Sequence, residues 1–364
     1  KTVEMPFEEA FMQLLIEGNN GVVLQQYVMY IGSDDGSGDF EHLVYGSVND
    51  FWNGVLPAVT RNMLSKTAAN FDGRKMKSIE FIVFHDTAGS PSGSTAKANS
   101  GWCNNPTNTG SSWQYTIGND GIYQQMEDDD VAWHAGDGAS WAESTTLYDT
   151  GIKADPNLRN RAKVTLGTDG YFYVNGEKSL VPLPAGATAA TGMNELGVAA
   201  VVKDGNYHIP TTHVGSGYGQ KVCIRGGNLN GIGIESCVNS GSDVYLTWQY
   251  SAKFIAQLLI KHNMTPERVL FHNNFSNKHC PNTMMTANLV DTFLDMVYME
   301  YYVAKNFADY EIKFESHNPD IIDNSGRIVG RPKYTTNVSY TITVSKDGKS
   351  QSVKLNALVP GTYN

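Results

Sequence analysis

The sequence has few cysteines, no cluster of basic residues and no long apolar run. Four of its 364 residues are cysteine, too few for a fold held together mainly by disulfide bridges. The formal net charge is −10 and no basic stripe is present, so binding to nucleic acid is not expected. No apolar segment reaches the roughly 18 to 20 residues that a membrane-spanning helix needs. Three common classes of protein are therefore disfavoured before any motif is considered.

The composition is that of a chain that buries a hydrophobic core. Hydrophobic residues make up 41% and charged residues 18% of the sequence, which is typical of globular proteins. The length gives room for two or three domains. The sequence begins at Lys1 rather than at a methionine, as a trimmed chain or a mature secreted protein would after removal of a signal peptide.

Hydrophobic patterning predicts three domains. Residues 1–75 are predicted to form a helical lead-in, with helices over 7–17 and 51–65. Residues 76–305 carry strands and helices arranged around one sheet, which indicates an α/β layer architecture. Residues 306–364 return to alternating apolar and polar residues, which predicts a small C-terminal β-domain.

The strands and helices of the middle domain are predicted from apolar runs, periodicity and turn residues. Continuous apolar runs suit buried strands, alternation around a glycine turn suits a hairpin, and a period of 3.6 residues suits helices. These patterns predict buried strands at 78–85 and 231–238, a hairpin of 112–117 with 122–125, and helices over 245–262, 266–270 and 284–302. Between 139 and 228 short strands alternate with Asp-Gly and Asn-Gly turns, which predicts a β-rich insertion.

One short loop and one distant strand end carry the residue types of a zinc site. The segment 271–281 reads Phe-His-Asn-Asn-Phe-Ser-Asn-Lys-His-Cys-Pro and places His272, Lys278 and Cys280 close together. A distant apolar run ends in His85. Two imidazoles and a thiolate make a three-ligand zinc site with the fourth position open, as in catalytic zinc sites. Each residue alone is more often structural, but the combination indicates a metal.

Three further residues are candidates, each with a structural alternative. Glu235 lies between apolar neighbours on a predicted strand, where a carboxylate is costly unless it is paired or reactive. Its alternative is a carboxylate satisfied by backbone amides. Lys278 taken alone is equally well explained as a solvated loop charge. For His134, in a turn with a following glycine, the alternative is a histidine packed against Trp133.

Five short segments occur in an order that is found in one family of enzymes. They are Ile-Val-Phe-His-Asp-Thr-Ala at 82–88, Tyr-Thr-Ile-Gly-Asn-Asp-Gly at 115–121 followed by Ile-Tyr-Gln, Ala-Trp-His-Ala-Gly at 132–136, Asn-Gly-Ile-Gly-Ile-Glu at 230–235, and Thr-Pro-Glu-Arg-Val-Leu-Phe-His at 265–272 with Lys-His-Cys-Pro at 278–281. With these segments the chain resembles the zinc-dependent N-acetylmuramoyl-L-alanine amidases of the type-2 group, which share a fold with bacteriophage lysozyme-type amidases and peptidoglycan recognition proteins. The resemblance covers residues 76–305 except for the insertion.

The resemblance implies a fold and a set of functional residues. The implied fold is a central mixed β-sheet flanked by helices, to which this chain adds the β-rich insertion at 139–228 and the C-terminal β-domain. The implied zinc ligands are His85, His272 and Cys280, the implied catalytic residues are Glu235 and Lys278, and the implied substrate contacts are Trp113, Trp133 and His134.

The chain departs from the family pattern at three places, one of which is Asn282 after Pro281, where members often have glycine. Some members have a catalytic tyrosine eight residues before the hairpin glycine, where this sequence has Trp113. That departure fits a subgroup of the family in which the glutamate takes the catalytic role, which makes Glu235 the more important candidate. The insertion at 139–228 is the largest departure, and it is expected to narrow the cleft, to extend contacts with the stem peptide or to cover the site.

Three hypotheses follow for the function. The first is an enzyme that hydrolyses the amide bond between N-acetylmuramic acid and L-alanine in peptidoglycan. The second is a non-catalytic peptidoglycan-binding module on the same fold. Relatives that only bind typically lose the cysteine ligand, so the presence of Cys280 favours catalysis. The third is a zinc amidohydrolase or peptidase that cleaves another bond, although the His-Glu-x-x-His helix of common metalloproteases is absent.

The resemblance also implies where the protein acts. A peptidoglycan (muropeptide) substrate is expected to be reached outside the membrane, by a secreted or cell-wall-associated bacterial protein or by a phage lysin. The cysteine content is compatible with secretion without requiring it. If Cys280 binds zinc, at most one disulfide bridge forms among Cys103, Cys223 and Cys237, and one thiol is left over.

Overall fold

The computed structural model describes residues 27–32, 39–44, 51–89, 91–135, 147–155, 163–183, 185, 198–199, 201–210, 227–276, 278–330, 332–359 and 361. The chain divides into two compact units. The first consists of Ala58–Asn239 and His262–Asp291, and the second of Lys1–Pro57, Ser240–Lys261 and Thr292–Asn364. The predicted domains, with boundaries near residues 75 and 305, stay a prediction.

The described residues contain the following strands and helices. The strands are β1 (Tyr27–Gly32), β2 (Asp39–Val44), β3 (Val59–Arg61), β4 (Phe81–Asp86), β5 (Tyr115–Gly118), β6 (Gly121–Gln124), β7 (Leu147–Lys153), β8 (Lys163–Leu166), β9 (Tyr171–Val174), β10 (Glu177–Pro182), β11 (Val198–Ala199), β12 (Val201–Lys203), β13 (Asn206–Pro210), β14 (Gly231–Ser236), β15 (Val269–Phe271), β16 (Glu311–Ser316), β17 (Thr336–Lys346) and β18 (Lys349–Val359). The α-helices are α1 (Ala96–Cys103), α2 (Val244–Lys261), α3 (His272–Ser276), α4 (Asn282–Thr286) and α5 (Val290–Asn306), and a 3-10 helix covers Pro266–Arg268.

A six-stranded sheet lies at the centre of the first unit, with the strands in the order β15-β4-β14-β5-β6-β3. Strand β4 runs parallel to β14 and β15, and β14 runs parallel to β5. Strands β5 and β6 form the antiparallel hairpin that the glycine turn predicts. The mixed sheet expected from the sequence is therefore confirmed.

Strand β4 lies in the interior of this sheet. Ile82, Val83 and Phe84 are fully buried, because the strand has parallel neighbours on both sides. A continuous apolar run is the usual sequence of such a strand. Its carboxyl end lies beside the carboxyl ends of β14 and β15, so residues that end these three strands meet at one edge of the sheet.

Helix α1 flanks the hairpin of the central sheet. It begins after Thr95, whose hydroxyl accepts the backbone N–H of Ala98 as an N-cap. The carboxylate of Asp120, in the hairpin turn, accepts the backbone N–H of Ala96 at 2.9 Å. A side chain at Gly118 would come within 3.0 Å of the Ala96 Cβ, so glycine permits the close approach of helix and hairpin.

The β-rich insertion contains strands β7 to β13. They form a four-stranded sheet in the order β10-β9-β8-β11 and a three-stranded sheet in the order β12-β13-β7. The two sheets share one hydrophobic cluster. The members of that cluster are Ile152, Val164, Phe172, Val174, Val181, Tyr207 and Ile209. The short strands predicted between residues 139 and 228 are therefore present, among them β8, β9 and β10.

The second unit contains a C-terminal antiparallel sheet of β16, β17 and β18. Strands β17 and β18 are joined at Asp347 and Gly348, both with positive φ, as a two-residue hairpin turn of type I′ requires. Helix α5 contributes Val303 and Phe307 to a cluster with Val344 of β17. The predicted C-terminal β-structure is therefore confirmed.

Among the described helices, none combines the length and the apolar character needed to cross a membrane.

Of the short helix predicted over 266–270, only the 3-10 helix Pro266–Arg268 is present, because Val269–Phe271 form strand β15. Two longer helix predictions are wrong. The stretch 51–65 contains no helix, and β3 pairs there in parallel with β6. Pro57 interrupts that stretch, and proline in a helix interior removes a hydrogen bond and clashes with the preceding turn. The helix predicted over 284–302 is divided into α4 and α5, because Asn288 adopts a left-handed φ of 57°. The helix predicted over 7–17 lies outside the described residues.

Candidate metal centre

The three predicted metal ligands come together at the carboxyl edge of the central sheet. The ligand atoms of His85, His272 and Cys280 all lie within 4.8 Å of one another. His85 Nδ1 is 3.1 Å from His272 Nδ1 and 3.8 Å from Cys280 Sγ. His85 lies in β4 and His272 directly follows the neighbouring parallel strand β15, so strand pairing brings the two imidazoles together.

The donor atoms fit a zinc ion. Zinc binds imidazole nitrogen at about 2.0–2.1 Å and thiolate at about 2.3 Å in a tetrahedron, which separates two nitrogens by about 3.3 Å and a nitrogen from a sulfur by about 3.5 Å. The observed separations of 3.1 and 3.8 Å are close to these values. Nitrogen and thiolate donors also match the ligand preference of zinc.

Burial sets the protonation of the three ligands. It is the largest cause that lowers the pKa of His85 well below its usual range, followed by the charges of His272, His134 and Lys278. Burial and then Lys278 lower the pKa of His272 to about 3, so both imidazoles are neutral. Burial raises the pKa of the Cys280 thiol well above its usual range. Metal binding must therefore release the thiol proton.

Asp86 holds the segment that carries Cys280. Its backbone N–H donates to the Cys280 sulfur. Its carboxylate accepts the backbone N–H of Thr283, in the first turn of α4, at 2.7 Å. Asn273 adds two contacts, because its backbone N–H donates to the carbonyl of Cys280 and its side chain donates to the carbonyl of Lys278. The cysteine is therefore fixed from both β4 and α3.

Glu235, on β14, lies beside the candidate metal ligands. It is the register partner of His85 in the adjacent strand, and its Oε1 is 4.0 Å from His85 Nδ1. Its Oε2 is buried without a hydrogen-bond partner among the described residues. Burial and then the negative charge of Asp86 raise the pKa of Glu235 to about 8, against an opposing effect of Lys278. A proton can therefore be gained or lost by this carboxylate near neutral pH.

Lys278 places a positive charge near the centre. Its side chain is exposed, and its charge lowers the pKa of His85, His272 and Glu235. It is two residues from Cys280 and so is carried by the same segment. The arrangement combines a candidate metal site, a carboxyl group and a cation.

His134 lies behind His85, on the side away from the other ligands. Its Nδ1 is 3.0 Å from His85 Nε2, and its Nε2 is 3.2 Å from the carbonyl oxygen of Gly231. Burial lowers the pKa of His134 to about 4. Both ring nitrogens therefore have partners within the described residues, and the substrate contact of His134 stays a prediction. The two glycines of β14, Gly231 and Gly233, are the sequence signal that a side chain packs directly on this strand: His134 contacts the carbonyl oxygen of the first and the Cα side of the second.

The two tryptophans have partners within the protein. Trp113 is 6% exposed and donates its indole N–H to the hydroxyl of Thr116 at 2.7 Å. Trp133 is partly buried and donates its indole N–H to Asp72 at 2.8 Å. Their substrate contacts stay predictions.

Cys103, Cys237 and Cys280 are buried free thiols, and Cys223 lies outside the described residues.

Comparison with known proteins gives one family and a set of distant structures. Residues 75–283 match the family described as N-acetylmuramoyl-L-alanine amidase. N-acetylmuramoyl-L-alanine amidase CwlH of Bacillus subtilis (strain 168) is 40% identical over 60 residues, which are 16% of this chain and 24% of that protein. The match thus spans about a quarter of the curated relative's length.

The similar solved structures have low sequence identity. The catalytic domain of XlyA is 20% identical with a TM-score of 0.41, over 66% of this chain and 99% of that one. The Staphylococcus aureus hydrolase AmiA, solved in complex with its ligand, is 13% identical with a TM-score of 0.38, over 69% of this chain and 86% of that one.

Proposed function

Because the chain belongs to the N-acetylmuramoyl-L-alanine amidase family, we propose that it hydrolyses the amide bond between N-acetylmuramic acid and L-alanine of the peptidoglycan stem peptide. The observation that carries the proposal is the convergence of His85, His272 and Cys280 beside Glu235. Family membership supports the bond that is cleaved, and the geometry supports hydrolysis rather than binding alone.

The proposed cofactor is zinc. His85, His272 and Cys280 would hold it, since their donor atoms match its ligand distances and its preference for nitrogen and sulfur. When bound, the ion would lower the pKa of a water molecule towards 7 and polarise the substrate carbonyl.

Glu235 is the proposed proton carrier. A water oxygen attacks the carbonyl carbon of the lactyl group, and the bond from that carbon to the alanine nitrogen breaks. Glu235 accepts the proton of the attacking water and delivers it to the departing nitrogen, so the stem peptide leaves with a free amine. A carboxyl group whose pKa is raised to about 8 suits both transfers near neutral pH.

Lys278 is the proposed stabiliser of negative charge on the substrate. Negative charge develops on the carbonyl oxygen as the water attacks, and a cation placed near that oxygen lowers its energy. The charge of Lys278 already acts on three groups of the centre. The same charge favours the ionised form of Glu235 before proton uptake.

The alternative is a module that binds peptidoglycan without cleaving it. The complete ligand set disfavours that alternative, and so does Glu235, whose unpartnered buried oxygen is costly in a purely structural carboxylate. The other alternative is hydrolysis of a different bond by the same machinery.

We propose that the protein acts outside the membrane, as a secreted or wall-associated bacterial protein or as a phage lysin.

Digestion of purified sacculi tests the proposal. Wild type and Glu235→Gln are incubated with sacculi, and the soluble products are analysed by mass spectrometry. We expect stem peptides that start with a free L-alanine amine from wild type and almost none from the variant. Cleaved glycan strands or cleaved cross-bridges would assign another bond, and binding without any product would support the binding module.

A further inference from the structure

The histidine behind the metal centre is in contact with one ligand and with the backbone of β14. His134 Nδ1 is 3.0 Å from His85 Nε2, and the two rings are nearly perpendicular, at 88°. His134 Nε2 is 3.2 Å from the Gly231 carbonyl oxygen. Metal-bound histidines usually donate their other ring N–H to a carboxylate, a carbonyl or water. Here that position is occupied by a second imidazole.

The carbonyl at the end of this chain of contacts fixes the direction of both hydrogen bonds. The Gly231 oxygen can only accept, so His134 Nε2 carries the proton. A neutral imidazole has one N–H, and both rings are buried, which disfavours the charged form. His134 Nδ1 therefore accepts, and His85 Nε2 donates to it. The lone pair of His85 Nδ1 then faces His272 and Cys280.

The position of the His134 ring is built into the fold. Its backbone N–H and that of Ala135 both donate to Asn228 Oδ1, at 2.9 and 2.7 Å. The ring lies directly on the backbone of β14, where a Cβ added to Gly233 would come within 2.7 Å of His134 Cδ2. Only glycine leaves room for the ring at this position.

From these contacts we infer that His134 is a positioning residue, which holds His85 in the tautomer that binds the metal through Nδ1, with the Gly231 carbonyl as the anchor. The inference rests on the proposed zinc site and extends it. Without this acceptor, His85 Nε2–H loses its buried partner, and the competing Nδ1–H tautomer, which cannot bind the ion through that nitrogen, becomes more populated.

A matched pair of substitutions isolates the hydrogen bond from the packing. His134→Asn keeps an oxygen near the position of Nδ1 that can accept from His85, whereas His134→Leu has nearly the same volume and cannot accept. Zinc affinity is measured for the full chain by competition with a chromophoric chelator. We expect His134→Leu to weaken zinc binding by about 10- to 100-fold, the usual effect of losing such a partner, and His134→Asn to restore most of it.

A second pair of substitutions tests the position of the His134 ring without replacing that residue. Gly233→Ala introduces a methyl group against His134 and is expected to weaken zinc binding. Gly101→Ala, in α1, adds the same methyl group where nothing lies within 4 Å and is expected to leave zinc binding unchanged. Circular dichroism of all variants checks that each one is folded.

The tautomers themselves provide a readout that packing alone would not change. Long-range ¹H–¹⁵N spectra of the ¹⁵N-histidine-labelled, zinc-free chain are expected to show His85 as the Nε2–H tautomer in wild type and in His134→Asn, and a mixture in His134→Leu. Equal zinc affinity in the Leu and Asn variants, or an Nδ1–H tautomer of His85 in wild type, would overturn the assignment of His134 alone. A wild type without zinc affinity would overturn the metal centre as well.

Discussion

His85 and Glu235 are register partners in two adjacent parallel strands, β4 and β14, and their side chains approach to 4.0 Å. Partners in a parallel pair point to the same side of the sheet. The spacing between a proposed metal ligand and a proposed proton carrier is therefore set by backbone hydrogen bonds in the core of the sheet. Such a spacing does not depend on loop conformation, which suits groups that must act on one substrate atom.

Replacement of Glu235 tests its role as the proton carrier. We expect Glu235→Gln to lower kcat by about 10²- to 10⁴-fold, the usual contribution of general acid–base catalysis, with little change in zinc content. The amide keeps the size of the side chain but cannot act as a general base or general acid near neutral pH. Hydrolysis of a soluble muropeptide and metal analysis of the same sample provide the measurement. Activity close to that of wild type would contradict the assignment.

Replacement of Cys280 tests the metal ligand. We expect Cys280→Ser to lose bound zinc and to abolish turnover, because a neutral hydroxyl replaces the thiolate. Metal content after dialysis and hydrolysis rates are measured together. Undiminished activity after treatment with a chelator would refute the metal assignment.

Cys103→Ser is the matched control for the cysteine experiment. Cys103 is also a buried free thiol, and its sulfur accepts a hydrogen bond from the backbone N–H of Trp113, which a serine hydroxyl can also accept. We expect this variant to keep its zinc. A loss of zinc in both variants would point to a general loss of folding rather than to a lost ligand.

Replacement of Lys278 tests charge stabilisation at the substrate. We expect Lys278→Met to lower kcat by about 10²- to 10³-fold, as the loss of one oxyanion-stabilising group usually does, with zinc retained. Lys97→Met, which removes an exposed lysine of α1, is expected to have no effect. A rise in KM with an unchanged kcat would show instead that Lys278 contributes to substrate binding alone.

The second unit contains a buried carboxyl group whose ionisation should make its stability depend on pH. Glu300 accepts the backbone N–H of Trp52 at 2.7 Å and lies 3.3 Å from the Lys253 Nζ. Burial, opposed by Lys253, raises the pKa of Glu300 to about 7. The folded state therefore binds this proton more tightly than the unfolded state. The stabilisation is complete below the unfolded pKa of Glu300 and is lost as the pH rises towards 7.

Glu300→Gln measures this effect. The unfolding free energy of wild type, compared with that of the variant, is expected to fall by about 3 kcal/mol between pH 4.5 and pH 7, since one pKa unit corresponds to about 1.4 kcal/mol. Glu311→Gln, at an exposed position of β16, controls for the change of net charge. Denaturant titrations at several pH values give the free energies. A pH-independent difference would contradict the raised pKa.

The sequence alone is sufficient to select the three residues that the structure brings together as a candidate metal site, because each one follows a recognisable signal. His85 ends an apolar run. His272 and Cys280 lie together in one short polar segment that follows a second apolar run. Parallel pairing of β4 with β15 then brings the two strand ends together. The position of Glu235 beside His85 agrees with a similar signal, since a lone carboxylate in a buried strand is energetically costly unless it is paired or reactive.

Other features depend on contacts that no local pattern shows. His134 is 49 residues from His85, and its contact becomes visible only when β14 is placed beside β4. The parallel pairing of β3 with β6 likewise depends on a partner far along the chain. The break between α4 and α5 depends on the left-handed conformation of Asn288, which asparagine tolerates but does not require.

The distance along the chain between the ligands has a consequence for folding. His85 is separated from His272 by 187 residues and from Cys280 by 195, so the site exists only when the central sheet is assembled. An ion that binds there and not to the unfolded chain adds its binding free energy to the stability of the sheet. The concentration of free zinc would then determine how much of the protein is folded, as well as how much of it is active.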